Sequence, residues 1–160
     1  MADAMGPAAV VRAIIEAREA GDLDACLGLV AADSLNQGHP ATHHDWRRQW
    51  ELMHAGCPDL RVTTEHSVEN GEWVANRYTI RGTHTGDFFG LPPTGRHFEL
   101  NGADLVRVRN GRLVEHWVFA DPLPDPLDKP LPDPLDDPLS DALDEPLDKP
   151  SASGPAAQRR

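Results

Sequence analysis

The sequence predicts an α+β domain with helices first and an antiparallel sheet after them, and three observations carry that reading. Val10, Val11, Ile14, Ile15 and Arg18 recur at helical spacing near the start of the chain. From Leu60 onward, alternating stretches are punctuated by two Asn-Gly pairs, Asn70-Gly71 and Asn110-Gly111, the strongest short-range hairpin signal a sequence offers. Beyond Asp121 this patterning stops and a Pro-Leu repeat takes over, which bounds the domain at 1–121 and leaves 122–160 as a tail.

The elements follow in order. The stripe from Val10 to Arg18 predicts a first helix, and Gly21-Asp22 breaks and recaps the chain before a second stripe at Leu23, Leu27 and Val30. A third helix is predicted from Thr42 or Asp45 to Ala55, stopped by Gly56 and Pro58. Strands are predicted over Leu60–Glu69 and Glu72–Thr85. A Gly/Pro-rich loop from Gly86 to Gly95 then leads into the hairpin around Asn110-Gly111, completing four antiparallel strands.

The hairpin turn sets an expected register. With Asn110 and Gly111 as the central residues of a type I′ turn, Val108 faces Leu113, Val106 faces Glu115, Asp104 faces Trp117, Gly102 faces Phe119 and Leu100 faces Asp121. These ten share one face, and Leu105, Val114, Val118 and Ala103 share the other with Arg107, His116 and Asn101. A sheet apolar on both sides, with carboxylates among aromatics on one, suggests a core layer on one face and a pocket on the other. The apolar content of Leu105, Val114, Val118 and Ala103 predicts a homodimer through the outer face.

Charge and composition narrow the function classes. The chain carries a net charge of −11, and Asp121 to Pro150 holds ten acidic residues against Lys129 and Lys149. Leucine recurs every fourth residue there, almost always after proline, so the tail reads as extended or disordered and acidic. The remainder is mildly acidic, which argues against nucleic acid as a partner. No apolar run is long enough to span a membrane, and no secretory layout opens the chain. Cys26 and Cys57 fit a reduced pair, so a cytoplasmic protein is expected.

The candidate site residues are few. Asp104 is a mid-strand acid, and such a residue is either paired with a buried Arg or His or is a pocket group. His84 ends a strand at the Gly-Thr-His turn, as a hydrogen-bonding residue or an orienting one. His43, Trp46, Trp50 and Met53 fall on one helical face that would serve both core and pocket. His39 and His43 stand four apart, but Pro40 and the lack of a third ligand argue against a metal. Gly82 to Gly86 lacks the lysine and helix of a phosphate loop.

Three motifs carry a resemblance: GTHTGDFFGLPPTGR over 82–96, DLVRVRNGRLVEHW over 104–117 closed by Asp121, and CPDLRVTTE over 57–65. Together they resemble the SnoaL-like polyketide (ester) cyclase family of the nuclear transport factor 2-like superfamily, over roughly 10–121. The resemblance implies a cone-shaped α+β barrel, a curved sheet wrapped around helices with the pocket in the cone. It also implies a cofactor-free intramolecular aldol ring closure of an aromatic polyketide with one Asp as acid and base, and Asp121 is the position that matches. Relatives carry His-Asn-Pro where this chain reads SLNQGHP, so Asn36 or His39-Pro40 is the counterpart.

On that reading Asp121 deprotonates an enolisable carbon and returns the proton to the new alkoxide, with no metal needed. Asp104 and His84 assist, while Asn36, His43, Trp46, Trp50, Phe88, Trp117 and Phe119 bind a flat aromatic substrate. The competing role for Asp121 is a strand-end cap before Pro122. Two other functions compete with the cyclase: a non-catalytic module that binds a hydrophobic ligand or dimerises, and an isomerase or hydroxylase on the same fold.

Overall fold

The computed structural model describes residues 5–123. The tail expected from Pro122 lies outside the described residues except for its first two. Leu123 packs against a small cluster of Cys57, Phe98 and Leu100.

Three helices precede most of the sheet. Helix α1, Pro7–Glu19, buries Val10, Val11 and Ile14, the predicted stripe. Gly21, at φ +75°, ends it, and Asp22 caps α2, Leu23–Gly28, by accepting from the Ala25 amide. Helix α3, His43–Gly56, starts with a capping box in which Thr42 and Asp45 satisfy each other's backbone amides. It presents Trp46 and Trp50 to the core.

The sheet has six strands rather than the four expected: β1, Val30–Asn36; β2, His39–Ala41; β3, Arg61–Asn70; β4, Trp73–Thr83; β5, His97–Arg109; and β6, Arg112–Ala120. Their spatial order is β2-β1-β6-β5-β4-β3. The second helical stripe was expected to include Val30, but that residue opens β1. There it pairs with Leu113 of β6 in parallel, the one parallel pairing among otherwise antiparallel neighbours. The tight turn that returns β1 into β2 is Gln37-Gly38, both at positive φ, and it does the same work as Asn-Gly. The helices cover one face of the sheet, and the main core lies between, built on Val10, Val30, Trp46, Trp50, Val74, Val106 and Leu113.

The expected hairpin register holds only for its first two pairs. Arg109 faces Arg112 and Val108 faces Leu113, but a bulge then takes up Val114, so that Arg107 faces Glu115 and Val106 faces His116. Asp104 accordingly faces Val118 rather than Trp117, and Ala103 faces Phe119. The physical reason is the packing of two inward residues three apart. Leu113 belongs to the buried core and His116 faces the same side, which strict alternation forbids and one extra residue permits. The bulge moves Trp117 and Phe119 to the outer face and brings His116 and Val118 inward.

Gly102 has a steric role at the centre of the sheet. It faces Tyr78 across β4 and β5, and the ring lies where a β-carbon would stand. Gly86 does the same for the long loop, which crosses the end of α3 so closely that its amide and that of Thr85 both donate to the Gly56 carbonyl at 3.0 Å.

Candidate active site

Between the helices and the inner face of the sheet lies a cavity of about 150 Å³. Trp46, Trp50 and Val106 supply apolar wall, and Asp104, His116 and Arg18 supply the charge and titratable groups. A second cavity of about 230 Å³ opens between α1 and the end of α3. Arg18, Trp50, Met53 and Leu60 line both and form the waist between them.

Each polar group is placed by a particular element. Asp104 sits mid-strand on β5 opposite Asn76 of β4, whose amide donates to Asp104 Oδ1 at 2.8 Å. The other carboxylate oxygen lies 4.0 Å from His116 Nε2, with both side chains largely shielded from water (10% and 16% exposed). His116 is held from behind by Asn36 on the neighbouring strand β1. The Asn36 amide donates to Gln49 Oε1 of α3 at 2.8 Å, which leaves its oxygen to accept from His116 Nδ1 at 3.0 Å. That bond fixes the tautomer, so Nε2 presents its lone pair toward Asp104. The Trp46 ring packs edge-on against the imidazole at 5.6 Å and donates its N–H to Ser34.

The electrostatics of the pair follow from burial. Desolvation pushes the Asp104 carboxyl up to about 6, against the Asn76 hydrogen bond and the positive charge of Arg18. Desolvation and the same Arg18 charge push the His116 imidazole down to about 4. The usual order of the two residues is thereby inverted. Across mildly acidic pH the carboxyl holds a proton while the imidazole is neutral, and at neutral pH a carboxylate poised to take a proton faces an uncharged base. Tyr78, also lining the cavity, has its phenol raised by burial and by Asp104 and stays protonated.

Of the residues expected from the sequence, Asp104, Trp46 and Trp50 line this cavity and Asn36 braces it. The others lie elsewhere. Asp121 is exposed past the end of β6, where its carboxylate accepts from the Asn101 backbone amide at 3.0 Å while its own amide donates to the Asn101 carbonyl. His84 is buried beneath the Gly/Pro-rich loop, donating to the Leu91 carbonyl at 3.3 Å and stacking edge-on with Phe88. Phe88 packs on Gly56 at the end of α3. His43 donates to the Val30 carbonyl at 2.8 Å and so ties α3 to β1. Trp117 donates to Glu115 on the outer face, and Phe119 is 64% exposed there.

Sequence reasoning missed His116, Asn76 and Arg18. His116 was assigned to the wrong face by the unrecognised bulge. Arg18 had a visible signal, a charge on an otherwise apolar helical stripe. Asn76 carried the same kind of signal, a polar residue among inward positions of a central strand.

The family assignment comes from comparison. The model of the SnoaL-like polyketide cyclase family matches residues 8–124. The chain belongs to the SnoaL-like polyketide cyclase family. This membership places it among polyketide cyclase-like enzymes. Among SnoaL-like relatives, the aklanonic acid methyl ester cyclase of Streptomyces peucetius is 28% identical over 122 residues, spanning 71% of this chain and 83% of its own. The crystal structure of wild-type IdmH from Streptomyces antibioticus superposes with a TM-score of 0.66 at 35% identity, covering 73% of this chain and 93% of that one. A SnoaL-like polyketide cyclase from Agrobacterium tumefaciens gives 0.67 at 20% identity, covering 73% and 92%, a likeness of fold alone. The expected α+β architecture, a curved sheet with N-terminal helices, is the one these SnoaL-like structures share. Among the described residues no helix is long and apolar enough to cross a membrane.

Proposed function

We propose that this chain closes a ring in an enolisable aromatic polyketide ester by an intramolecular aldol reaction, with Asp104 as the acid and base and His116 as its partner. The observation that carries the reading is the Asp104–His116 pair itself. It combines a carboxyl raised to about 6 in an apolar cavity with an oriented neutral imidazole 4.0 Å away. Relatives named as cyclases of aklanonic acid methyl ester and nogalonic acid methyl ester support the substrate class.

The chemistry balances without an added reactant. The Asp104 carboxylate takes the proton from a carbon flanked by two carbonyls, and the C–H pair becomes the enolate. The enolate carbon attacks a neighbouring ketone, a C–C bond forms, and the carbonyl π pair becomes an alkoxide. Asp104 returns its proton to that alkoxide, so product and substrate are isomers. The substrate's own carbonyls delocalise the intermediate charge, so the scheme calls for no cofactor. Neutral His116, its Nε2 lone pair 4.0 Å from the carboxyl, is oriented to receive the carboxyl proton's hydrogen bond once the two close by about 1 Å, which would hold it between the two transfers. Trp46 and Trp50 face the flat rings. Because the inner cavity alone is small for a polycyclic ligand, such a substrate extends through the waist into the outer one.

The test is incubation of the full chain with aklanonic acid methyl ester. A product of unchanged mass and new chromatographic retention supports the reading, and tight binding without turnover sets it aside for the non-catalytic module. We also propose a homodimer through the outer sheet face, where Leu105 and Phe119 stand exposed beside Trp117. Val118 does not belong to that face, since it lines the cavity. Two free buried thiols, Cys26 and Cys57, suit a reducing compartment such as the cytoplasm.

A further inference from the structure

Arg18 stands at the waist of the cleft, lining both cavities. Its surroundings leave it without a partner. Among the described residues its guanidinium makes no hydrogen bond and no ion pair, while the polar groups around the inner cavity are engaged. Asp104 is bonded to Asn76, His116 to Asn36, and the adjacent Glu19 accepts from the Val62 amide and lies 3.9 Å from Arg61. A guanidinium has five donors in a planar fork and does not lose its charge at neutral pH. Withdrawing one from water with no hydrogen-bond acceptor of its own is costly, and burial lowers its pKa although Glu19 and Asp104 lie within reach of its charge. A chain that keeps such a group facing a cavity has a use for its charge there.

The group is also close enough to Asp104 and His116 for its charge to shift both. We propose that Arg18 is an oxyanion-binding residue, whose N–H donors receive the enolate oxygen that forms when the substrate loses its proton to the carboxylate. The inference rests on the aldol reading for the origin of the enolate and adds the residue that holds its charge. When Asp104 becomes neutral on taking the proton, the negative charge moves to the substrate. Arg18 is the unengaged cation lining the space the substrate would occupy, and in a water-poor cleft a fixed donor of this kind stabilises the developing charge strongly.

The test is binding, measured calorimetrically, so that it does not depend on turnover. The probes are 2-hydroxy-1,4-naphthoquinone, which is ionised at neutral pH as a flat enolate-type anion, and its neutral isostere 2-methoxy-1,4-naphthoquinone. The wild type is expected to prefer the anion by about 10- to 100-fold, the range of a charge-assisted hydrogen bond. The preference should vanish at acid pH, where the probe is protonated. Arg18→Gln should abolish it and leave affinity for the methoxy compound unchanged, Arg18→Lys should keep part of it, and Arg12→Gln, on the exposed side of α1, should keep all of it. Melting curves establish that each variant is folded. No preference for the anion in the wild type, or a preference that survives in Arg18→Gln, overturns the proposal. So does an Arg18-dependent preference seen only for 2-naphthoate over 2-naphthamide, since the site would then take a carboxylate. If the wild type does not cyclise the ester but the Arg18-dependent preference is found, the aldol reading falls and the anion site stands.

Discussion

Asp104 on β5 and His116 on β6 face each other across 4.0 Å because a single extra residue, Val114, turns β6 over between Leu113 and His116. Without that bulge the imidazole would point to the outer face and Asp104 would look onto Trp117. The pair is thus a product of strand register, and its inverted titration order is a product of burial beneath the helices.

That burial has a cost visible in stability. The folded pKa of Asp104 lies above its ordinary value of 3.8, so its contribution is complete below that value, fades as pH rises to about 6 and is gone above. Asp104→Asn, neutral throughout, should therefore exceed the wild type in stability by about 1–3 kcal/mol at pH 8. The advantage should shrink steadily toward pH 4. Denaturant unfolding at the two pH values checks this, and an advantage that does not change with pH would show that Asp104 pays no desolvation penalty.

The Asn36 amide is expected to matter for rate more than for binding. Asn36→Ala frees the His116 ring and leaves Gln49 without its donor, so kcat should fall on the order of tenfold to a hundredfold with KM little changed. Equal loss in binding and turnover would indicate a collapsed cavity instead of a misaligned imidazole.

Gly102 should tolerate no side chain while Tyr78 stands over it. Gly102→Ala is expected to destabilise by about 1–3 kcal/mol. In a double-mutant cycle with Tyr78→Ala, most of that increment should disappear, because the two effects share one contact. Full additivity would place the strain elsewhere.

The outer face supplies an association test. Light scattering of the wild type at micromolar concentration should give twice the chain mass, and Phe119→Glu, at a residue 64% exposed on that face, should give a single chain mass. A monomeric wild type removes the dimer.

Much of the fold was legible because its signals are local. Helical stripes, the Asp22 and Thr42 caps and the Asn-Gly turns each declare an element within a few residues. Strand β1 was not legible, since Val30 to Asn36 has no alternation of its own and is held by distant partners, Leu113 and His116. The site was half legible for the same reason. Asp104 announced itself as an acid in mid-strand, but a bulge leaves little trace in the pattern, and one residue of slip exchanged His116 and Val118 for Trp117 and Phe119. The resemblance pointed to Asp121, whose hydrogen bonds to Asn101 are those of a strand-end cap.

The most direct test of Asp104 as the acid and base is the pH dependence of kcat/KM on aklanonic acid methyl ester, measured for the wild type, Asp104→Asn and Asp121→Asn. The wild type should rise through an apparent pKa near 6 to a plateau. Asp104→Asn should lose about 10²–10⁴ in rate together with that inflection, and Asp121→Asn should keep both. An Asp121→Asn variant that loses turnover while Asp104→Asn retains it, inflection included, would contradict the account.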